Sequence, residues 1–586
     1  MTTTIPQTLA RVAFDGAAKF GDRPAQRFKR DGTWTDLSYA ELGTIVEEIA
    51  CGLVALGIQP GDRVSILADT RPEWTQAQFA CAAVGAIVVP IYPTDSAEEG
   101  KWVLGNSGAV AVICENAAQA GKVEQVREAL PELRQVMVID PDGAHQNLAD
   151  LRCGGPGSDR AEVRRRTDAA APDDPVLIIY TSGTTGRPKG CVLTDRSLMS
   201  CVSAAVQLHL VEQDDLDYLF LPLAHAFAQT INVDLLSIGA TVAYCSPGAA
   251  SIMSDLAELR PTGFPSVPRI FEKVYAKVAE AVPPDRLAGM VRDARAVRQL
   301  EADGKPIPDE LRASAAGADQ LFAAVRQAFG GRIRLAISGA APIAPEILEF
   351  FRAAGVPVYE GYGLSESAAN GTVNSAGAWR IGTIGRAMPG CQVRVAPDGE
   401  LLMRGPHIFA GYWNNPEATA EVLVDGWLQT GDLGAVDEDG FARITGRKKD
   451  IIITAGGKNL TPSEIENDLR QSPFISHVVL HGDRRPYPVA LITLDADYAV
   501  PWAQAQGLPT DLPTLASLDS MREMIQQTLD KVNARYARVA QIKRFAILDH
   551  DFSQETGELT PTLKLKRQVI NDMYAAVFDS LYVQPR

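Results

Sequence analysis

The chain has 586 residues, 46% of them apolar, which excludes a small stapled fold or a disordered chain and implies more than one domain. Acidic residues outnumber basic ones by 72 to 56, a formal charge of -16, so nucleic acid held by general attraction to phosphates is not an expected partner. The eight cysteines (51, 81, 114, 153, 191, 201, 245 and 391) include no Cys-x-x-Cys pair, and no His stands at metal-ligand spacing, so neither a disulfide framework nor a zinc site is expected. The first residues lack the basic start and apolar core of a signal peptide, and no run of 18 apolar residues occurs. A cytoplasmic location is the expectation, with peripheral membrane contact left open.

From Leu37 to about Asp140, a helical pattern over Tyr39 to Leu56 precedes short apolar runs that read as buried strands at 63–67, 86–89, 110–113 and 136–139. The segment from Gly154 to Asp174, rich in Gly, Asp and Arg, reads as a surface connector. Strands are expected again at 175–180, 218–221 and 333–338, and Pro283 to Gly331 reads as helix. From Gly390 to Gly446 short alternating segments with Asp-Gly turns predict a β-rich subdomain, and near Lys449 a βαβ-like section begins. The fold class is therefore α/β, with much parallel sheet.

The strongest local signal is Tyr180-Thr-Ser-Gly-Thr-Thr-Gly-Arg-Pro-Lys-Gly190, directly after a predicted strand. Its hydroxyls, glycines and lysine suit a polyphosphate, although a flexible surface loop is the plain alternative. It is not the P-loop of kinases, which needs Gly-Lys-Ser/Thr opening a helix, whereas Pro188 precedes Lys189 here and Gly190 follows it. Further short strings follow in order: Ser338-Gly-Ala-Ala-Pro342, Tyr359-Glu-Gly-Tyr-Gly-Leu-Ser-Glu366, Trp427-Leu-Gln-Thr-Gly-Asp432, Gly446-Arg-Lys-Lys-Asp450 and Gly557-Glu-Leu-Thr-Pro-Thr-Leu-Lys-Leu-Lys-Arg567. Singly, the first is a strand-to-helix turn, Ser365 and Glu366 suit a helix start, Asp432 a strand-end turn, and 446–450 a charged linker.

Together, in this order and over nearly the whole chain, the strings resemble the signatures of the adenylate-forming superfamily of acyl-CoA synthetases, peptide-synthetase adenylation domains and luciferase-like enzymes. The resemblance implies a large N-terminal adenylation domain over 1–448, made of several subdomains, and a small mobile α+β domain over 449–586. It implies ATP contacts at Thr181, Ser182, Gly183, Thr184, Thr185 and Lys189, at Gly339, Ala340, Ala341 and Pro342, at Glu360, Gly361, Tyr362, Gly363 and Ser365, and at Asp432 and Arg447. Glu366 is the implied Mg²⁺ carboxylate, with Thr181 beside it; the family usually has Thr in place of Ser365. Lys449 is the implied hinge, Gly456, Gly457 and Lys458 lie near the pantetheine arm of coenzyme A, and Lys564 is the catalytic lysine of adenylation. Lys566 and Arg567 are competing cations in the same string, and Leu563 stands where the family often has Gly.

The segments Tyr218 to Ala228 and Pro261 to Tyr275 look like those of long-chain fatty acyl-CoA synthetases, which implies an acyl pocket with His225, Phe264 and Val267. On composition alone His225 is a structural histidine. The expected reaction is ATP-dependent acid–CoA ligation of an apolar carboxylic acid through acyl-AMP. The rivals are an enzyme that loads a carrier protein or performs one half-reaction, and a nucleotide- or acyl-binding relative without turnover. A homodimer is an option by family analogy alone.

Overall fold

The computed structural model describes residues 5–152, 159–181, 187–246, 251–302, 304–455, 459–560 and 564–583. The strands Arg63–Leu67, Ile87–Ile91, Ala109–Cys114 and Gln135–Val138 pair in parallel, with Val64 opposite Val88 and Ala111 opposite Gln135. Helices at Tyr39–Ala55, Pro72–Ala83, Ala97–Ser107 and Ala117–Glu124 cover them, which is why these strands are apolar on both faces. A reciprocal capping box between Ser38 and Glu41 starts the first of these helices.

Several elements escaped the sequence reading, among them two helices and a hairpin. A helix at Leu9–Phe20 buries Leu9, Val12 and Ala13. A hairpin of Pro24–Arg30 and Thr33–Ser38 turns at Asp31-Gly32, both at positive φ (50° and 77°), the pattern of a two-residue hairpin turn. The supposed connector 154–174 contains a helix, Arg160–Ala169, capped by Asp159. Its charged composition conceals a buried side built from Val163, Thr167 and Arg166, whose guanidinium donates to Ile58 O and Glu162.

The second sheet has 14 strands. In its parallel half, Leu216–Leu219, Gly263–Ser266, Leu335–Ser338 and Val358–Tyr362 lie side by side, with Ser266, Ser338 and Glu360 in one row at their C-terminal ends. From Tyr362 onward the pairing turns antiparallel through Thr372–Val373, Gly385–Ala387, Phe441–Arg447 and Trp427–Val436, forming the expected β-rich part. The helical stretch is present as Pro284–Ala302, Asp309–Ala316 and Asp319–Ala328. Beneath it Phe264, Phe271, Phe329, Phe350 and Phe351 interlock edge to face and stacked, with centroids 5.2 to 6.1 Å apart.

The smaller C-terminal domain has its own core around Leu469, Val478, Ile492, Ile525 and Phe545. The expected βαβ character appears late. Ile475–His481 and Val489–Leu494 form an antiparallel hairpin, and only the return through Ala496–Ala505 and Asp519–Asn533 to Arg544–Ile547 is a parallel crossover. Three ion pairs join this domain to the helix Pro268–Ala281: Arg269 with Asp495 (2.5 Å), Lys273 with Asp497 (2.8 Å) and Arg470 with Glu272 (4.0 Å).

Inside the small domain Arg567 donates to both oxygens of the buried Glu466 (2.8 and 2.7 Å) and to Leu480 O. Arg567→Ala leaves that buried carboxylate without its charge partner, with the Leu480 N–H still donating to Oε1, and should cost about 3 kcal/mol in denaturant unfolding followed by a small-domain probe. Arg567→Met with Glu466→Leu should recover part of the loss; equal loss in the double variant would show that packing, not charge pairing, is what matters.

Candidate functional site

One cavity of about 1110 Å³ opens where the C-terminal ends of the parallel strands meet the antiparallel ribbon and the small domain. Thr181, Lys189, Glu366, Arg447, Lys449 and Lys564 all line it, as do Gly339, Ala340, Gly361, Tyr362, Gly363 and Ser365. Residues 182–185 and 456–458, named from sequence as phosphate and pantetheine contacts, lie outside the described residues.

Strand Pro175–Thr181 returns as Lys189–Thr194, with Thr181 opposite Lys189, so the phosphate-suited string is the connection of a hairpin. The Lys189 ammonium stands 5.0 Å over the Tyr412 ring, and the Tyr412 hydroxyl donates to Glu366 Oε1 (2.7 Å). Tyr412 was not foreseen. Its short strand, Gly411–Tyr412, pairs with Cys191 and Val192 from far away in sequence, and a Gly-Tyr-Trp string carries no local sign of that pairing. Glu366 lies in the 3-10 turn Ser365–Ser367, which Ser367 closes by accepting from Leu364 N (2.9 Å). The turn packs so closely that a Cβ at Gly363 would fall 2.1 Å from the carbonyl carbon of Ala369.

Asp432 departs from its expected strand-end turn. It sits within Trp427–Val436, paired across the ribbon with Arg447. Its buried carboxylate accepts from the Tyr362 hydroxyl (2.5 Å) and from Arg447 Nε (2.9 Å). Burial opposes the Arg447 charge, but Asp432, with Tyr362 and Asp450, outweighs it and raises the pKa. Asp432 thus stands behind Tyr362 and Arg447 and is not itself part of the cavity wall.

Lys564 emerges from a tight β-bridge of Leu559 with Leu565 and donates its own N–H to Thr560 Oγ1 (3.0 Å). Burial, and secondly Arg447, press its ammonium below the ordinary lysine range, while Asp432 and Glu366 act in the opposite sense. Of its neighbours, Lys566 also borders the cavity, whereas Arg567 is committed to Glu466. At the hinge string, Lys448 is tied to Asp398 (2.6 Å) and Glu400 (2.9 Å), and Lys449 faces the cavity.

Other expectations place differently. Ala341 is exposed, Pro342 borders a separate cleft, and Val267 caps the helix Pro268–Ala281 outside the cavity wall. Glu360 lies beside Ser338 in the sheet, where burial raises its carboxyl to about 8. Phe264 touches the cavity from within the aromatic cluster.

His225 is both structural and cavity-lining. It caps the helix Ala226–Ile238, its Nδ1 accepting from Phe227 N (3.2 Å). Burial, with Lys564 second, lowers its pKa to about 3, so it is a neutral imidazole with the proton on Nε2. The same helix lines the cavity with Phe227, Thr230, Ile231 and Asp234, and the strand Leu335–Ser338 with Leu335 and Ile337. Among the described residues no trio of His, Cys, Asp or Glu could hold a metal, which leaves Glu366, with the Thr181 hydroxyl near the same wall, for an ion that arrives on a phosphate.

Residues 14–413 match the family described as AMP-binding enzyme, and residues 449–586 match the AMP-binding enzyme C-terminal domain. The chain is similar to the long-chain-fatty-acid–CoA ligase FadD15 of Mycobacterium bovis, with 41% identity over 570 residues covering 94% of this chain and 93% of the relative. It is similar to the long-chain-fatty-acid–CoA ligase ACSBG2 of Xenopus laevis, with 32% identity over 98% of this chain and 84% of the relative. Its fold resembles the anthranilate CoA ligase AuaEII in complex with anthranoyl-AMP (TM-score 0.74, 19% identity, 97% of this chain and 98% of that one). It also resembles the Mycobacterium tuberculosis fatty acyl CoA synthetase (TM-score 0.64, 24% identity, 97% and 99%).

The histidine assignment is open to a direct check. Imidazole ¹⁵N shifts of His225, assigned through His225→Gln, should report the Nε2–H tautomer unchanged from pH 8 down to about pH 5; titration within that window would show that the ring is not held neutral.

Proposed function

The chain belongs to the family of AMP-binding enzymes and is an ATP-dependent acid–CoA ligase acting through acyl-AMP, and we propose that both half-reactions run in the cavity just described. The carrying observation is the convergence of Lys189, Glu366, Arg447 and Lys564 on one end of a cavity that continues along the helix Ala226–Ile238 and the strand Leu335–Ser338.

In the proposed first step a carboxylate oxygen of the acid attacks the α-phosphorus of ATP, the bond to the bridging oxygen breaks, and pyrophosphate leaves. Lys189 and Arg447 face the phosphates, and Lys564 meets the negative charge that builds between carboxylate and α-phosphate. Mg²⁺ would be held by Glu366 together with the phosphates it neutralises, where it supplies charge stabilisation. In the second step the thiolate sulfur of coenzyme A attacks the acyl carbon and AMP departs with the bonding pair. Before that step Lys564 must vacate the site. A turn of the small domain about Lys449 fits the ion pairs that form part of its contact with the larger domain. For the acid we propose a long-chain one, supported by the apolar cavity wall and by what the similar ligases are named for.

Pyrophosphate release and mass-detected thioester are measured across a panel of apolar acids, with coenzyme A present or absent. Acid-dependent release of both products supports the reading, whereas thioester formed only on an added carrier protein refutes the acceptor. Lys564→Ala should slow pyrophosphate release at least about 100-fold while acyl-AMP supplied with coenzyme A still yields thioester. Equal loss in both arms would reassign the lysine.

A further inference from the structure

Two carboxyl groups in the acyl half of the cavity have no task in the reaction above. Asp217, Gly263 and Leu335 form one row across the parallel sheet. That row lies three residues, about 10 Å, before the Ser266–Ser338–Glu360 row that leads into the catalytic motifs. Asp217 and Leu335 both border the cavity, so the cavity runs the length of these strands to the far end of the sheet. The helix Ala226–Ile238 runs back along the same path. Phe227, Thr230, Ile231 and Asp234 stand at i, i+3, i+4 and i+7 on its cavity face, and Asp234 is nine residues, about 13 Å, beyond His225.

Asp217 and Asp234 are each only 6% exposed, and neither side chain takes part in a hydrogen bond among the described residues; Oδ1 of each is buried without a partner. A buried polar group left unpaired costs stability and calls for an explanation. Neighbouring buried aspartates show what a structural role looks like here. Asp215 accepts from Thr262, Arg334 and the Glu212 amide, and Asp255 from Lys29, Tyr218 and Ser246. The space for Asp217 is itself built in, because a Cβ on Gly263 would fall 1.8 Å from Asp217 Oδ1.

We propose that the deep end of the acyl cavity is a polar subsite where Asp217 and Asp234 hydrogen-bond a hydroxyl carried far from the substrate's carboxylate, so that the preferred acid is a hydroxylated long-chain acid. This rests on the ligase reading above and narrows its substrate. Burial raises both carboxyls well above the ordinary aspartate range, Asp215 adding to the effect at Asp217 and Arg334 opposing it. A protonated carboxyl offers one donor and its remaining acceptor lone pairs, the complement of an alcohol, and no net charge has to be buried with it. An ammonium on the substrate would instead require an ionised aspartate at the bottom of an apolar channel.

The test is a competition between hexadecanoic acid and hydroxyhexadecanoic acids with the hydroxyl placed from mid-chain to the terminus, with ATP-Mg²⁺ and coenzyme A and with products resolved by mass. At least one hydroxylated acid should be preferred tenfold or more in kcat/KM, because a site built for a hydroxyl leaves its own groups unpaired when the hydroxyl is missing. Asp217→Leu and Asp234→Leu should reduce the preference to within about twofold, while Asp234→Asn, which keeps a donor and an acceptor, should retain most of it. Turnover of the plain acid with no preference for any hydroxyl position, unchanged in the leucine variants, overturns the subsite and leaves the ligase intact. If no acid yields acyl-CoA the ligase reading fails; calorimetric binding of the same acids, which needs no turnover, then decides the subsite by the presence or absence of a tenfold preference that the leucine variants remove.

Discussion

The Asp432 carboxylate, held between the Tyr362 hydroxyl and the Arg447 guanidinium, is the point on which the site depends. Tyr362 ends the last parallel strand, and Asp432 and Arg447 belong to facing strands of the antiparallel ribbon. One buried carboxylate therefore ties the end of the parallel half to two strands of the antiparallel ribbon, beside the wall that carries Glu366 and the 446–450 string. Removing either partner would leave a nearly buried carboxylate short of hydrogen bonds, a larger penalty than the pair's own net contribution.

From that junction the cavity changes character along its length. At the catalytic end Lys189, Arg447, Lys449 and Lys564 bring positive charge to the wall that also carries Glu366, as suits a polyphosphate with its metal ion. Past the neutral His225 the walls are Ile231, Ile337 and Leu335, and at the far end stand Asp217 and Asp234, whose carboxyls burial raises well above the ordinary aspartate range. Charge at the mouth of the site and hydrogen bonding at its depth thus act on opposite ends of one substrate, with apolar surface between them.

What the sequence made legible follows from range. The buried strands at 63–67 and 110–113 are continuous apolar runs, and the strings that hold Lys189, Glu366 and Lys564 carry their chemistry within ten or so residues. What stayed hidden depends on distant partners. Tyr412 matters because it meets Glu366 and Lys189; Asp432 looked like a turn residue because its strand partner lies 15 residues away. Arg160–Ala169 was masked by charges whose buried side includes an arginine, and nothing near Asp217 or Asp234 in sequence shows that strand and helix bring both to one cavity. The strings at 182–185 and 456–458 lie outside the described residues, so their roles rest on resemblance.

The ion pairs Arg269 with Asp495, Lys273 with Asp497 and Arg470 with Glu272 hold the small domain to one helix of the larger by charge, and most of their side chains remain in contact with water. Solvent-exposed pairs such as Lys273 with Asp497 typically contribute no more than about 1 kcal/mol each, and their reach shrinks to about 8 Å at physiological ionic strength. A contact of this kind slides without tearing open an apolar core, and dissolved ions loosen it. For the rotation proposed above, the salt around the enzyme would therefore act as a lubricant, setting how readily Lys564 is withdrawn between the two half-reactions.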